Sequence, residues 1–273
     1  MTDQEERYDR IAAGYAQWWA PVLEARAIAL LDRVDSAVES GGRRLIDIGT
    51  GTGTLARAAL RRWPEVEVTA IDLSSAMISA SEAEAKRLLD DAERRRFRTA
   101  VAPADSLPFD DGSFDVAISS FVLQLVPNRS RALREARRVL RPGGTLAYVT
   151  WLVDERVFRP DVEFDAVLDE IGIGGREPED RPGDVPTAES AGAQMRRAGF
   201  RDVVVERAML DHRFTAEGYV RFLSEFDEED LISSLTRSER KQVLGGLRER
   251  LEALPPDDLV MRYPIVYASG RRP

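Results

Sequence analysis

The sequence has no cysteine and one histidine, His212. The first absence excludes disulfides and thiolate-held metal centres. The second excludes an imidazole metal cluster and a Cys–His dyad. Carboxylates alone could still hold a metal, but no EF-hand-like spacing occurs and no metal is expected. No apolar run approaches the ~20 residues that a membrane-spanning helix needs. The opening residues, Met1-Thr2-Asp3-Gln4-Glu5-Glu6-Arg7, lack the basic start and apolar stretch of a signal peptide. The expectation is a cytoplasmic protein without membrane insertion. Lysine is nearly missing as well, with Lys86 and Lys241 alone, so arginine carries the positive charge. A net charge of −9 argues against nucleic acid or an anionic membrane as the main partner. The cluster Arg94-Arg95-Arg96 reads as a solvated helix end rather than a phosphate site. What is present, 43% apolar and 32% charged residues over 273 positions, suffices for one large core or one core with a modest subdomain.

Hydrophobic periodicity predicts an N-terminal helix over about 5–36, with Ile11, Tyr15, Trp18, Trp19, Val22, Leu23 and Leu30 near helical spacing and a break at Pro21. Strands are expected at Arg44–Ile48, Val66–Ile71, Phe97–Val101, Phe114–Ser119 and Thr145–Trp151. Helices are expected at Thr54–Trp63, from a Ser74 cap to Asp91, and over 128–140, the last ended by Pro142-Gly143-Gly144. Residues 152–186 read as irregular. Beyond them come a helix from Thr187 to Ala198, a strand Val203–Met209, helices near 215–232 and 236–253, and a last strand Leu259–Ala268. Strands alternating with helices at this spacing predict an α/β fold with a doubly wound, mostly parallel sheet.

The most informative stretch is Leu45-Ile46-Asp47-Ile48-Gly49-Thr50-Gly51-Thr52-Gly53. A strand enters a turn whose glycines let the backbone approach a ligand before the next helix begins. The spacing is G-x-G-x-G, and Thr54 stands where the dinucleotide fingerprint has its third glycine. Asp47 before the loop is an awkward neighbour for a pyrophosphate and suits a ligand with an ammonium and a sulfonium. Asp72, ending the next strand, can accept hydrogen bonds from ribose hydroxyls. A tight turn with solvated acids is the bland alternative. A nicotinamide oxidoreductase is disfavoured by Thr54 and by the lack of a Tyr-x-x-x-Lys pair.

Four ordered segments carry a family resemblance: Leu45–Gly53, Ile71-Asp72-Leu73-Ser74-Ser75-Ala76-Met77, Leu107-Pro108-Phe109-Asp110-Asp111-Gly112-Ser113-Phe114-Asp115, and Leu140-Arg141-Pro142-Gly143-Gly144. From about Tyr8 to Trp151 the chain resembles class I S-adenosylmethionine (SAM)-dependent methyltransferases, notably the ubiquinone/menaquinone-biosynthesis-like (methyltransferase type 11) group. The resemblance implies a seven-stranded Rossmann-like sheet with an N-terminal helical lid and a small helical cap. It implies SAM as cofactor, with Gly49 and Gly51 lining the methionine part and Asp72 on the ribose; Asp47, Thr50, Thr52 and Gly53 complete the loop's cofactor-binding candidates. Leu73 and Met77 would pack on adenine, Ala104 would meet its edge, and Ser120 would lie by the methionine end. Family members often place an acid where Pro103 stands; Asp105, two residues on, is the candidate substitute.

The expected organisation is a single methyltransferase domain over 1–273. Within it lie a lid (1–40), a SAM-binding core (41–151) and substrate-side segments (152–186 and 210–256). Tyr15 is the candidate that closes over the cofactor, although Tyr8, Tyr15, Trp18 and Trp19 also read as plain packing. Trp19, Gln124 and Trp151 are the substrate-side candidates, and His212 is a weak candidate base. Methyl transfer from a sulfonium is an in-line displacement needing alignment and dryness more than a nucleophile. The expected function is methylation of a small-molecule acceptor, with a catalytically inactive SAM sensor or partner subunit as alternative. The oligomeric state is not readable.

Overall fold

The computed structural model describes residues 14–174 and 183–273. The positions expected to begin the first helix, with Tyr8 and Ile11, lie outside the described residues. The described chain opens with a π-helical turn, Tyr15–Trp19, that runs directly into helix α1, Ala20–Ala29. Pro21 therefore does not break the helix. It sits in the first turn of α1, where its missing N–H is not required, and marks a change from π to α geometry. A 3-10 turn, Leu30–Arg33, and the short helix α2, Asp35–Glu39, follow.

The core then alternates: β1 Arg44–Ile48, α3 Thr54–Arg62, β2 Glu67–Asp72, α4 Ser75–Leu88, α5 Asp91–Arg95, β3 Phe97–Val101, β4 Phe114–Ser120, α6 Arg129–Val139 and β5 Leu140–Trp151. Two boundaries differ from the periodicity reading. The helix expected to reach Asp91 stops at Leu88, because Asp90 and Glu93 form a capping box that starts a separate helix. Pro142-Gly143-Gly144 lies inside β5 instead of preceding it. Leu140 already pairs with Phe114, and Gly143 N–H donates to Arg272 O at 2.8 Å. The remaining elements are α7 Arg159–Ile171, α8 Ala188–Arg197, β6 Arg201–Arg213, α9 Ala216–Phe222, α10 Glu229–Ser234, α11 Arg237–Ala253 and β7 Val260–Arg271. Helix α7 corrects the irregular reading of 152–186. Phe164, Val167 and Leu168 are buried at helical spacing behind Pro160 in the first turn. The single helix expected over 215–232 is instead α9, a π turn at Leu223–Asp227, and α10.

Seven strands of the described residues form one open sheet in the order β3-β2-β1-β4-β5-β7-β6. Pairs β1–β2, β1–β4, β2–β3 and β4–β5 are parallel, and β7 runs antiparallel to β5. This is a Rossmann-like sheet. Its strand order reverses beside β1, so the connections leaving β1 and β4 diverge and open a crevice at their carboxyl ends. Ile46, Ile48, Ile71, Ala117, Leu146 and Tyr148 belong to the core cluster that fills the sheet's packing.

The Leu-Pro-Phe-Asp-Asp segment earns its place structurally. Leu107 N–H donates to Glu135 (3.0 Å), while Arg138 donates to Leu107 O, Phe109 O and Asp111. Asp115 accepts from Arg43 N–H and Arg44 N–H, both at 2.8 Å, and from Arg141. Burial pushes its carboxyl up, but these donors outweigh burial and hold it below the usual range. The chain divides into two compact units. Among the described residues the first comprises 14–153, 183–208 and 264–273, and the second 154–174 and 209–263. The second unit packs Phe158, Phe214, Tyr219 and Phe222 together, with the buried Glu163 held by Arg159 and Arg250.

Candidate active site

The glycine loop leaves β1 with three consecutive alternate glycines at positive φ: Gly49 (+74°), Gly51 (+53°) and Gly53 (+81°). Gly49 is fixed by space as well, since a Cβ there would sit 2.3 Å from Val122 Cγ2. Gly49 and Thr50 both donate their N–H to Ile71 O at 2.8 Å, tying the loop to the end of β2. Asp72 continues that tie. Its carboxylate accepts from Gly51 N–H at 2.8 Å and from Ser74 N–H at 3.0 Å. Each carboxylate oxygen offers two acceptor positions, so the geometry is compatible with further donors on the ligand side.

Asp47, 1% exposed, accepts from Thr50 Oγ1–H at 2.7 Å. Burial raises its carboxyl from the ordinary 3.8 to about 7, with the Asp72 charge adding to the rise and the bonds from Thr50 and Ala56 N–H opposing it. A carboxyl poised there gains stabilisation from any cation placed beside it. The cleft over the loop, ≈ 400 Å³, is lined by Asp47, Gly49, Thr50 and Thr52 from below, by Ser120 from the end of β4, and by Tyr15, Leu23 and Glu24 from the N-terminal helical segment. The Tyr15 ring lies 3.6 Å from where a Gly51 Cβ would point.

The structure thus brings Tyr15, Asp47, Gly49, Thr50, Thr52 and Ser120 into one cleft, with Gly51 and Asp72 joined by their hydrogen bond. Gly53 caps the start of α3. Leu73 and Ala104 are half-buried, and Met77 is buried on α4 after the Ser74 cap. Asp105 is half-buried and, among the described residues, makes no hydrogen bond or ion pair, whereas Pro103 is exposed.

On the β4–β5 side, Trp151 packs against Phe121 with ring centroids 4.5 Å apart and against Trp19 at 6.3 Å. Phe121 has φ +55°, a strained backbone for a side-chain-bearing residue, at the carboxyl end of β4. Gln124 holds it there: its Nε2–H donates to Phe121 O (2.7 Å) and its Oε1 accepts from Thr150 Oγ1–H (2.8 Å). Sequence reasoning missed Phe121, whose one available signal was its place just past a central strand. His212 lies in the second unit, its ring edge-on to Phe214 at 4.5 Å with its pKa lowered by burial, and it does not line the glycine-loop cleft. The loop, the two acids and the open cleft fit SAM: the glycines remove side chains where a ligand must approach, and Asp47 matches a ligand cation.

Residues 46–148 match the family model described as a methyltransferase domain. The chain is 29% identical over 235 residues, 84% of each partner, to a malonyl-[acyl-carrier protein] O-methyltransferase of Geobacter sulfurreducens. It is 41% identical over 113 residues to the ubiquinone/menaquinone biosynthesis C-methyltransferase UbiE of Dinoroseobacter shibae, covering 41% of this chain and 44% of that protein. Among solved structures it resembles phosphoethanolamine N-methyltransferase 2 of Haemonchus contortus, in complex with phosphomonomethylethanolamine and S-adenosylhomocysteine. That likeness has TM-score 0.58 and 19% identity, covers 99% of this chain and 59% of that one, and speaks to the fold. Sequence, sheet order and cleft converge: residues 46–148 carry a methyltransferase domain, and the chain is similar to SAM-dependent methyltransferases.

Proposed function

We propose that the protein transfers the SAM methyl group to a small molecule with a planar aromatic or apolar body. One observation carries the acceptor half of this reading: the tilted Trp19–Trp151–Phe121 ring cluster at the carboxyl ends of β4 and β5, beside the strand whose Ser120 lines the cofactor cleft. Such rings form an apolar wall that excludes water from a displacement needing alignment more than acid–base help. The relatives modify oxygen, carbon and nitrogen respectively, so the acceptor atom is left to experiment.

On the cofactor side, Asp72 is assigned the ribose hydroxyls and Asp47 the ammonium end. Leu73, Met77 and Ala104 are assigned the adenine faces and edge, and Asp105, without a partner among the described residues, its amino group. Ser120 and Tyr15 flank the methionine portion. SAM when bound supplies an electrophilic methyl on a sulfonium; the chain's own residues hold it, aim it and keep the cleft dry. Gln124 is assigned a positioning role on the substrate side, because its hydrogen bonds fix the Phe121 carbonyl. Incubation with methyl-labelled SAM and pools of aromatic, quinone-like and aliphatic acceptors tests the reading. Label entering an aromatic or apolar acceptor is expected. SAM binding without any labelled product would favour a sensor, and label confined to protein or nucleic acid would overturn the acceptor class.

A further inference from the structure

Gly53 ends the loop against two polar groups on different helices. A Cβ there would lie 2.3 Å from Ser81 Oγ on α4 and 2.9 Å from Arg57 Nη1 on α3. Ser81 is fully buried, and its hydroxyl has no hydrogen-bond partner among the described residues. Arg57, only 7% exposed, donates to Thr52 O and, at 3.4 Å, to Thr54 Oγ1. Both acceptors are neutral. No carboxylate of the described residues forms an ion pair with Arg57, and its neighbour Glu84 is taken by Arg87 at 2.6 Å. Burial draws the Arg57 guanidinium below its usual value, with Glu84 and Glu24 opposing from a distance and Arg61 and Arg87 reinforcing. A desolvated guanidinium without counter-charge and an orphaned hydroxyl beside it form a place prepared for an anion.

Arg57 lines a solvent-open cleft that shares Ala20, Glu24, Thr52 and Thr54 with the cofactor cleft. Asp47 lines the one cleft and Arg57 the other, across the shared Thr52 and Thr54. A buried acid and a buried base thus flank the start of one helix, the charge pattern that an amino-acid zwitterion complements.

We propose that Arg57, assisted by the Ser81 hydroxyl, receives the α-carboxylate of the cofactor's amino-acid end, while Asp47 receives its ammonium. This rests on the SAM reading above. It assigns the family's shared cofactor a carboxylate anchor on α3, outside the glycine loop.

Titration calorimetry with SAM and with decarboxylated SAM, which keeps the sulfonium and the amine, tests it. The wild-type chain should bind SAM about 10- to 100-fold more tightly, the ratio for losing a charged hydrogen-bonded partner. In Arg57→Met that preference should collapse to within about threefold through weaker SAM binding alone, and Arg57→Lys should restore part of it. Ser81→Ala, which removes only the orphaned hydroxyl and does not threaten folding, should lower the preference several-fold. Equal binding of the two ligands by the wild type overturns the proposal without any variant. So does an Arg57→Met protein that loses both ligands equally, which marks Arg57 as a brace for the Thr52 carbonyl. Binding of neither ligand by folded wild-type protein would instead strike the SAM reading, and this proposal with it.

Discussion

Replacing Asp47 by asparagine isolates the buried carboxyl at the heart of the cleft. Its pKa of about 7 against an ordinary 3.8 means that the fold binds the proton more tightly than the unfolded chain does. The group's contribution is therefore fully present below about pH 3.8, declines as pH rises toward 7, and is level above. At 1.36 kcal/mol per unit, about three units correspond to roughly 4 kcal/mol of stability surrendered across that window. Asparagine keeps an acceptor for Ala56 N–H and can donate to the Thr50 hydroxyl, so it satisfies the same partners without the charge. Asp47→Asn should gain on the order of 1–3 kcal/mol at pH 7.5 and show a flatter melting profile between pH 5 and 7.5. SAM binding should move the opposite way. A cation beside Asp47 favours the ionised form, so wild-type affinity should weaken about tenfold per pH unit below 7, with nearly one proton released per SAM bound at pH 6. Calorimetry between pH 5.5 and 7.5, in buffers of different ionisation enthalpy, keeps the ligand's amino group largely protonated and reads both quantities. The variant should bind about 10- to 100-fold more weakly at pH 7.5 and without the pH slope. A wild-type affinity flat over this range, or an equal slope in Asp47→Asn, refutes the assignment of Asp47 to the ligand cation.

Asp72→Ala removes the acceptor of Gly51 and Ser74 N–H groups along with the ribose partner. It should weaken SAM by about 1.5–3 kcal/mol and lower stability by about 1–2 kcal/mol, read by calorimetry and denaturant melts; unchanged SAM affinity would show that Asp72 faces elsewhere. Gly49→Ala must place a Cβ 2.3 Å from Val122 at φ +74°. It should cost about 2–4 kcal/mol and lose SAM binding, and a variant of wild-type stability would contradict the packing described for the loop. The N-terminal segment over residues 14–29 should act as a lid. Its amide exchange should slow on adding S-adenosylhomocysteine, and equal protection with and without ligand would reduce Tyr15 and Trp19 to packing.

Much of this molecule is local and therefore written in the sequence. The loop Asp47–Gly53 needs only its own glycines and the strand before it, and Asp72 stands at a strand end that β-branched and apolar alternation marks. The parallel order of the core follows from alternating periods of two and 3.6. Tertiary structure decided what depends on partners distant in the chain. Helix α7 was hidden because its proline and acids look like loop until Phe164, Val167 and Leu168 find a core. Leu140–Gly144 became strand because Phe114 and Arg272 pair with it, against the local turn signal of Pro-Gly-Gly. Gln124 is a substrate-side candidate by its place in the sequence, and only the fold reveals its hydrogen bonds to Phe121 and Thr150. Asp47 could be named from its neighbours, but its elevated pKa needed full burial beneath the loop. Arg57 and Ser81, 24 positions apart on two helices, meet only at Gly53. No single-sequence pattern encodes a meeting of that kind, because the desolvation that gives it meaning exists only once the chain has folded.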